Sequence, residues 1–486
     1  MADLYWYDYE TYGTSVSVDR PVQFVGIRTD ENLKKIGSHD EFICQISKDY
    51  VPQLDACLIH GRTPNTLPIT SLKEYDFAKS IYQLLTQANT CSVGFNSMRF
   101  DHPISQHLFY RNLLDPYGWH WKDGNTKWDV IDLFRAANAL RPKGFIWPTN
   151  IENKPSFKLV DLAKANNIPM TNAHDALCDI EATIELVKIV KSAQPELYKY
   201  AYSLKDKNIV RSKIIDCISK RKPLVYTSSI FPSKNGNTSI VYPLGINPQN
   251  NNEYIVYDLR KDLKDFLSLS KEELKALLFK ENGSNYEANE SIGITKLRIN
   301  QSPFICDFSV INSEIAERIK IDLDECQHNL NKILRETKFN KKAIYCFSTG
   351  EIESEDIDVD QALYSGPFIC NQDLEIANQW LNKKPIEKVL EIPDFKDQRL
   401  HELAFRHLAR NHPDFLSIEQ KNKWDNYCKK KLFNNEKESN IGSLGILEKQ
   451  IEDYLKKGGS QENEIILNLV QYINSLKKEF LVKNIR

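Results

Sequence analysis

Residues 4–14 read LYWYDYETYGT, an aromatic segment that sets Asp8 and Glu10 two positions apart almost at the start of the chain. In a β-strand, side chains at i and i+2 share a face, so Asp8 and Glu10 point the same way, together with Trp6. Adjacent carboxylates repel each other and raise one another's pKa unless a cation lies between them. A hard divalent ion that takes carboxylate oxygens, Mg²⁺ or Mn²⁺, is the natural partner. An isolated D-x-E also suits a solvent-facing edge strand, so a metal site requires further carboxylates.

Two later segments supply them. VGFNSMRFDHP (93–103) takes a buried strand out through an Asn96-Ser97 turn to Asp101, with Pro103 fit for a first helical turn. This delivers a carboxylate at the end of a core strand, where open α/β sheets keep their ligands, although Asp101 alone also reads as an N-cap. TNAHDALCDIEATIEL (171–186) gives His174, Asp175 and Asp179 at a helix entry. Asp179 stands among the apolar Leu177, Ile180, Ile184 and Val187, where an unpaired charge is costly. By spacing alone, Asp175 is a rival to Asp179. Asp129 and Asp132 in KWDVIDLF read as structural, and His401, His407 and His412 lack matching carboxylates.

The 486 residues, 41% of them hydrophobic, suffice for two or three domains. No apolar run approaches the roughly 20 residues that cross a bilayer, and the start MADLYWYDYE lacks a basic and an apolar leader region, so a cytoplasmic protein is expected. The ten cysteines form no C-x-x-C pair and read as buried thiols in a reducing compartment. A net charge of −2 excludes gripping a polyanion by bulk charge, so nucleic-acid contact requires a local basic groove.

Three regions follow along the chain. Residues 1–195 alternate strands with helices, which predicts an α/β domain. Residues 196–350 turn strand-rich: LVYTSSIF and TSIVYPLGI flank Asn235-Gly236, a hairpin-turn signal, and EYIVYDL follows. Residues 351–486 read as helical, with Gly458-Gly459 closing one helix after two lysines.

D-x-E on a first strand, N-x-x-x-F-D after a later one and H-D-A-x-x-D at a helix start resemble, in that order, the three motifs of the DEDDh family of 3′-5′ exonucleases. DRPVQFVGIRTD, WDVIDLFRAANALRPKGFIWP, PSFKLVDLAKANNI, NGNTS and DQRLHELAFRHLARN extend the resemblance, over essentially the whole chain, to the bacterial exonuclease I branch of that family. The resemblance implies a ribonuclease-H-like α/β exonuclease domain, a Src-homology-3-like β-barrel domain and a C-terminal all-helical domain. It implies 3′-5′ degradation of single-stranded DNA to 5′-mononucleotides in DNA repair and recombination. Asp8, Glu10, Asp101 and Asp179 are then the ligands of two Mg²⁺ ions, with Mn²⁺ as a substitute. His174 is the general base, and the resemblance selects Asp179 over Asp175. Glu10, Tyr117, Trp121, Arg135, Arg141 and Lys158 are the positions expected along the strand, Lys158 standing where the family carries arginine and Gln106 where it carries a basic residue. A partner is also implied, the acidic C-terminal tail of the single-stranded DNA-binding protein, on a basic surface including Arg141 and Tyr200; a monomer is expected by analogy. The competing readings are a DEDDh exoribonuclease, an inactive single-strand-binding adaptor and a polymerase proofreading subunit.

Overall fold

The computed structural model describes residues 3–170, 175–279, 292–348, 357–433 and 443–481. His174 lies outside them. Its first sheet has the order β3-β2-β1-β4-β5, built from β1 (Asp3–Thr11), β2 (Pro21–Thr29), β3 (Asp40–Ile43), β4 (Thr90–Gly94) and β5 (Thr126–Asp129). β1 pairs antiparallel with β2 and parallel with β4, which makes it central. Its residues 4–7 are accordingly apolar and buried on both faces. Tyr5, Tyr7 and Tyr9 enter one cluster with Phe24, Phe77 and Phe109, whereas Leu4 and Trp6 enter another with Ile180 and Ile184.

Helices cover both faces: α1 (Leu54–His60), α2 (Glu74–Leu85), α3 (Asp101–Arg111), α4 (Ile131–Leu140), α5 (Leu159–Ala165) and α6 (Ala176–Ala193). α6 packs across β1 and β2 on the Leu4 and Trp6 face. That is the face to which residues 8 and 10 also belong, by the two-residue period of the strand.

The second sheet is antiparallel, β10-β6-β7-β8-β9, from β6 (Leu224–Thr227), β7 (Thr238–Asn247), β8 (Asn250–Asp258), β9 (Ile294–Arg298) and β10 (Phe304–Asp307). α4 packs against β6, β7 and β10, so one continuous apolar core joins the first sheet's layer to the second sheet. The tight hairpin is not at Asn235-Gly236. A ten-residue loop separates Thr227 from Thr238; Asn235 ends a short 3₁₀ turn and donates its side-chain amide to the Ile319 carbonyl at 2.9 Å. Gly236, at φ 63°, caps that turn. The two-residue turn instead falls at Pro248-Gln249, between β7 and β8.

Beyond residue 357 the described elements are helical, including Asn371–Leu381, Gln398–Asn411, Ile418–Phe433, Leu444–Lys456 and Glu464–Leu481. Their core is continuous with residues of the first domain, among them Tyr12, Val22, Tyr50 and Tyr110. All ten cysteines are free thiols, eight of them buried. Among the described residues no helix is long and apolar enough to cross a membrane.

Candidate active site

β1 carries Asp8 and Glu10 at the end of its pairing with β2, opposite Val25 and Gln23. α6 brings the third carboxylate. Its N-cap is Asp175, whose Oδ1 accepts the Leu177 and Cys178 backbone N–H groups at 3.1 and 3.4 Å. Asp175 is thereby engaged in starting the helix. One turn later Asp179 reaches the strand: carboxylate oxygens of Asp8, Glu10 and Asp179 all lie within 4.8 Å of one another, each side chain half-buried. Asp175 thus caps the helix, whereas Asp179, which the resemblance selects, is the one that meets Asp8 and Glu10.

Asp101 opens α3 immediately after the turn that leaves β4. One of its oxygens accepts the Tyr9 backbone N–H at 3.2 Å, which ties the helix start to the strand between Asp8 and Glu10. It stands outside the group of three whose oxygens meet, yet its charge is the largest of the neighbouring charges acting on Asp8. Asp129 builds the turn itself. It accepts N–H groups from Asn96 at 2.8 Å, Met98 at 3.0 Å and Ile131 at 3.0 Å, and Asn96 sits at φ 59°. This confirms the structural reading of Asp129.

The electrostatics match a cation site. Burial, then Asp101, Glu10 and Asp179, push the Asp8 carboxyl well above its usual range. Burial and Asp179 push Glu10 up to about 8, and burial pushes Asp101 up to about 7 against the opposing Tyr9 hydrogen bond. Carboxylates so placed cannot all ionise near neutrality without a positive charge among them. Oxygen donors at this spacing fit a hard divalent ion.

The candidates for holding a strand are dispersed. Lys158 is exposed at the N-terminal boundary of α5, and Arg141 is exposed beyond α4. Trp121 is exposed, with the Lys122 ammonium 5.6 Å from its ring. Tyr117 is half-buried: its hydroxyl donates to the Leu363 carbonyl at 3.3 Å and its ring meets Phe368 edge-on at 5.0 Å. Arg135 is turned to Asp132 at 2.7 Å, so its charge is already matched. Gln106 accepts the Tyr364 hydroxyl at 2.8 Å and links α3 to the helical region. Tyr200 donates to the Ile305 carbonyl at 2.8 Å, with the Lys213 ammonium 4.7 Å above its ring.

Two features escaped the sequence reading. Tyr364 and Phe368, both exposed, bring aromatic faces from the helical region to Gln106 and Tyr117; nothing local in LYSGPF marks them for that position. A buried ion network joins the first domain to the helices. Asp360 meets Arg20 at 3.0 Å, Arg406 at 3.3 Å and Arg410, which also holds Asp49 at 2.8 Å, while Glu74 meets Arg111 at 3.3 Å and Arg20 at 3.5 Å. A signal existed: Arg406 and Arg410 lie one helical turn apart among Leu403, Ala404 and Leu408, on an inward face.

The geometry agrees with known proteins. The chain matches the family models for an exonuclease (residues 5–187), the exonuclease I SH3-like domain (205–349) and the exonuclease I C-terminal domain (357–476). It is 37% identical to exodeoxyribonuclease I of Escherichia coli over 420 residues, covering 86% of this chain and 87% of the relative. The structure of E. coli exonuclease I with a dA16 oligonucleotide superposes with a TM-score of 0.90 at 33% identity, covering 98% of this chain and all of the other. A structure of SSB/exonuclease I with the inhibitor CFAM gives 0.87 at 32% identity, covering 98% of this chain and 100% of that one.

Proposed function

Because the chain belongs to the exodeoxyribonuclease I family, we propose that the carboxylates of β1, α3 and α6 are the centre at which it degrades single-stranded DNA from the 3′ end to 5′-mononucleotides. The observation that carries this reading is the meeting of Asp8, Glu10 and Asp179 within 4.8 Å. Asp8, Glu10, Asp101 and Asp179 would hold divalent ions, Mg²⁺ with Mn²⁺ as a substitute, which when bound would supply positive charge for activating water and for neutralising the departing 3′-oxygen.

The chain's own residues do the rest. Asp8 and Glu10 are fixed by a central strand, so their separation does not relax when the charge changes. Asp8, on which the charges of Asp101, Glu10 and Asp179 all act, would be a central donor, and Asp101 and Asp179 would complete the donor set. Glu10, two residues further along β1, would also contact the terminal nucleotide, as the family resemblance implies. His174, one residue ahead of the Asp175 cap, takes the proton from the attacking water, a task suited to an imidazole. Tyr117 and Trp121 offer faces to unpaired bases, and Tyr364 and Phe368 extend that platform. Lys158 holds the terminal phosphate and Arg141 a phosphate further along. Arg135, neutralised by Asp132, contributes less than its charge suggests.

Residues 1–195, 196–350 and 351–486 form the catalytic unit, the β-rich unit and the helical unit. The acidic tail of a single-stranded DNA-binding protein docks on the surface of Arg141, Tyr200 and Lys213, around β10. Arg141→Ala is expected to lose stimulation by that protein and, to a lesser degree, affinity for bare DNA.

Digestion of 5′-labelled single-stranded DNA, duplex DNA and RNA with Mg²⁺, with and without chelator, tests the function. Metal-dependent shortening of single-stranded DNA alone is expected, and His174→Ala should slow it by roughly 10²- to 10⁴-fold. Preference for RNA would assign an exoribonuclease instead. Tight binding without cleavage would make the protein an adaptor, and an unslowed His174→Ala would remove the histidine from the mechanism.

A further inference from the structure

The β-rich unit contains a basic cavity that the reaction above does not use. It has a volume of about 330 Å³, and its walls include Phe231, Lys234, Asn235, Arg260, Lys261 and Lys320. Phe231 is 4% exposed and lies 5.5 Å beneath the Arg260 guanidinium carbon. Arg260 is held rigidly: its Nε donates to both Asp258 oxygens at 3.0 and 3.1 Å, and its Nη1 donates to Asn235 Oδ1 at 2.8 Å. Asp258, which also accepts from Ser239 and from the Arg260 backbone N–H, is the acid that lines the cavity, and its charge is spent on this clamp.

Three cations remain. Lys234 comes from the β6–β7 loop, Lys261 from just beyond β8, and Lys320 from the segment before the helix Leu323–Arg335. None of the three makes an ion pair among the described residues, and Lys320 sits at φ 53°, a left-handed conformation that the fold imposes at the cavity wall. The three ammonium groups line one concavity, so an anion entering it would meet positive charge from several chain segments at once.

The shape selects the anion. A volume near 300 Å³ is that of a small-ligand pocket, large enough for a nucleotide. Lysines bind phosphate as point charges, and Phe231 is too deeply buried to offer a face for base stacking, so recognition falls on the phosphate. The cavity's loop leads toward the proposed strand path. A Cβ on Gly236 would come 3.2 Å from Ala139 Cβ, and Arg318 Nη1 donates to the Ala139 carbonyl at 3.2 Å, two residues before Arg141. We propose that the cavity formed by Lys234, Arg260, Lys261 and Lys320 binds a nucleotide phosphate away from the catalytic carboxylates. The source is either a released mononucleotide or the strand being digested.

The test is the triple variant Lys234→Gln/Lys261→Gln/Lys320→Gln, which keeps the side-chain stems and removes the charge. Titration calorimetry in chelator measures dAMP, and a dT oligomer of about 20 nucleotides over a series of salt concentrations. If the source is free nucleotide, the native protein binds dAMP and the variant weakens it at least about tenfold, the scale of a lost charged hydrogen bond. If the source is the strand, the oligomer's logarithmic salt slope becomes shallower by about 2, since three phosphate contacts on a single strand are lost. Cleavage of a trinucleotide stays at the native rate in both cases. Unchanged dAMP affinity together with an unchanged salt slope overturns the proposal, and so does a variant that binds only an acidic peptide less well. Lost trinucleotide cleavage would place the lysines in the catalytic groove and overturn a separate pocket. None of these results bears on the carboxylate site, which is tested by its own metal dependence.

Discussion

The molecule contains two buried groups of acids, and they are treated in opposite ways. Around Asp360, each carboxylate faces guanidinium groups: Arg410, Arg20 and Arg406 hold Asp360 well below the usual carboxylate range, and Arg410 and Lys431 do the same for Asp49. Around Asp8 the neighbouring charges that act most strongly are other carboxylates, and the carboxyl is pushed up. The first group is electrically complete and joins the catalytic unit to the helical unit. The second is complete only when cations join it. Burial of charge alone therefore does not mark a functional site; burial of like charge does.

Removing one member from each group gives the largest contrast. Asp8→Asn should reduce cleavage to background while leaving the melting temperature in chelator unchanged or raised, because it relieves repulsion. Arg410→Met should leave Asp49 and Asp360 short of a partner and cost about 3–5 kcal/mol, the scale of a broken buried pair. Nuclease assays and urea unfolding on both variants measure this. Equal destabilisation by the two substitutions would erase the distinction.

The pH dependence sharpens it. Glu10 at about 8 and Asp101 at about 7 hold protons in the native state that the unfolded chain releases near pH 4. Protons bound preferentially by the native state make stability fall as pH rises, here across the window from about 4.5 to 8. The depressed acids Glu74, Asp49 and Asp360 act the other way: their contribution is present above the unfolded pKa and is lost as pH falls through their native values. In chelator the melting temperature should therefore decline between pH 6 and pH 8.5, and Mg²⁺ should remove the decline by binding the ionised form. Thermal melts at the two pH values, with and without Mg²⁺, measure the effect. A metal-induced rise that is no larger at pH 8.5 than at pH 6 would contradict the assigned ligands.

Much of this was legible in sequence because it is local. Asp8 and Glu10 were placed on one face by the period of a strand, and a carboxylate at the entry of α6 by the run of acids among apolar neighbours there. Spacing left the choice between Asp175 and Asp179 open and the resemblance made it; the structure adds that Asp175 caps the helix while Asp179 meets Asp8 and Glu10. The Arg20–Asp360–Arg410 network was less legible still: the helix pattern turns Arg406 and Arg410 inward, but their partners Arg20, Asp49 and Asp360 lie far away in the chain. Asn235-Gly236 misled for a related reason. Its turn chemistry is real, but Asn235 spends its amide on Ile319 and Arg260, so tertiary contacts use the turn to shape a loop rather than a hairpin.

The smallest predicted effect concerns Lys158 and Gln106, the two positions at which the resemblance implies a different residue and which the structure separates. Gln106 is engaged, its carbonyl accepting from Tyr364, so a cation placed there would break a link between the catalytic and helical units. Lys158 is exposed at the start of α5, and among the described residues its side chain makes no bond that an arginine would break. A guanidinium presents two parallel donors to a phosphate where an ammonium presents a point charge, so Lys158→Arg should tighten the terminal nucleotide. KM for a short oligonucleotide should fall about two- to fivefold while kcat and the salt slope stay fixed, because geometry improves and charge does not change. A steeper salt slope would mean that the substitution recruits an additional phosphate, and an unchanged KM would move the terminal-phosphate contact away from residue 158.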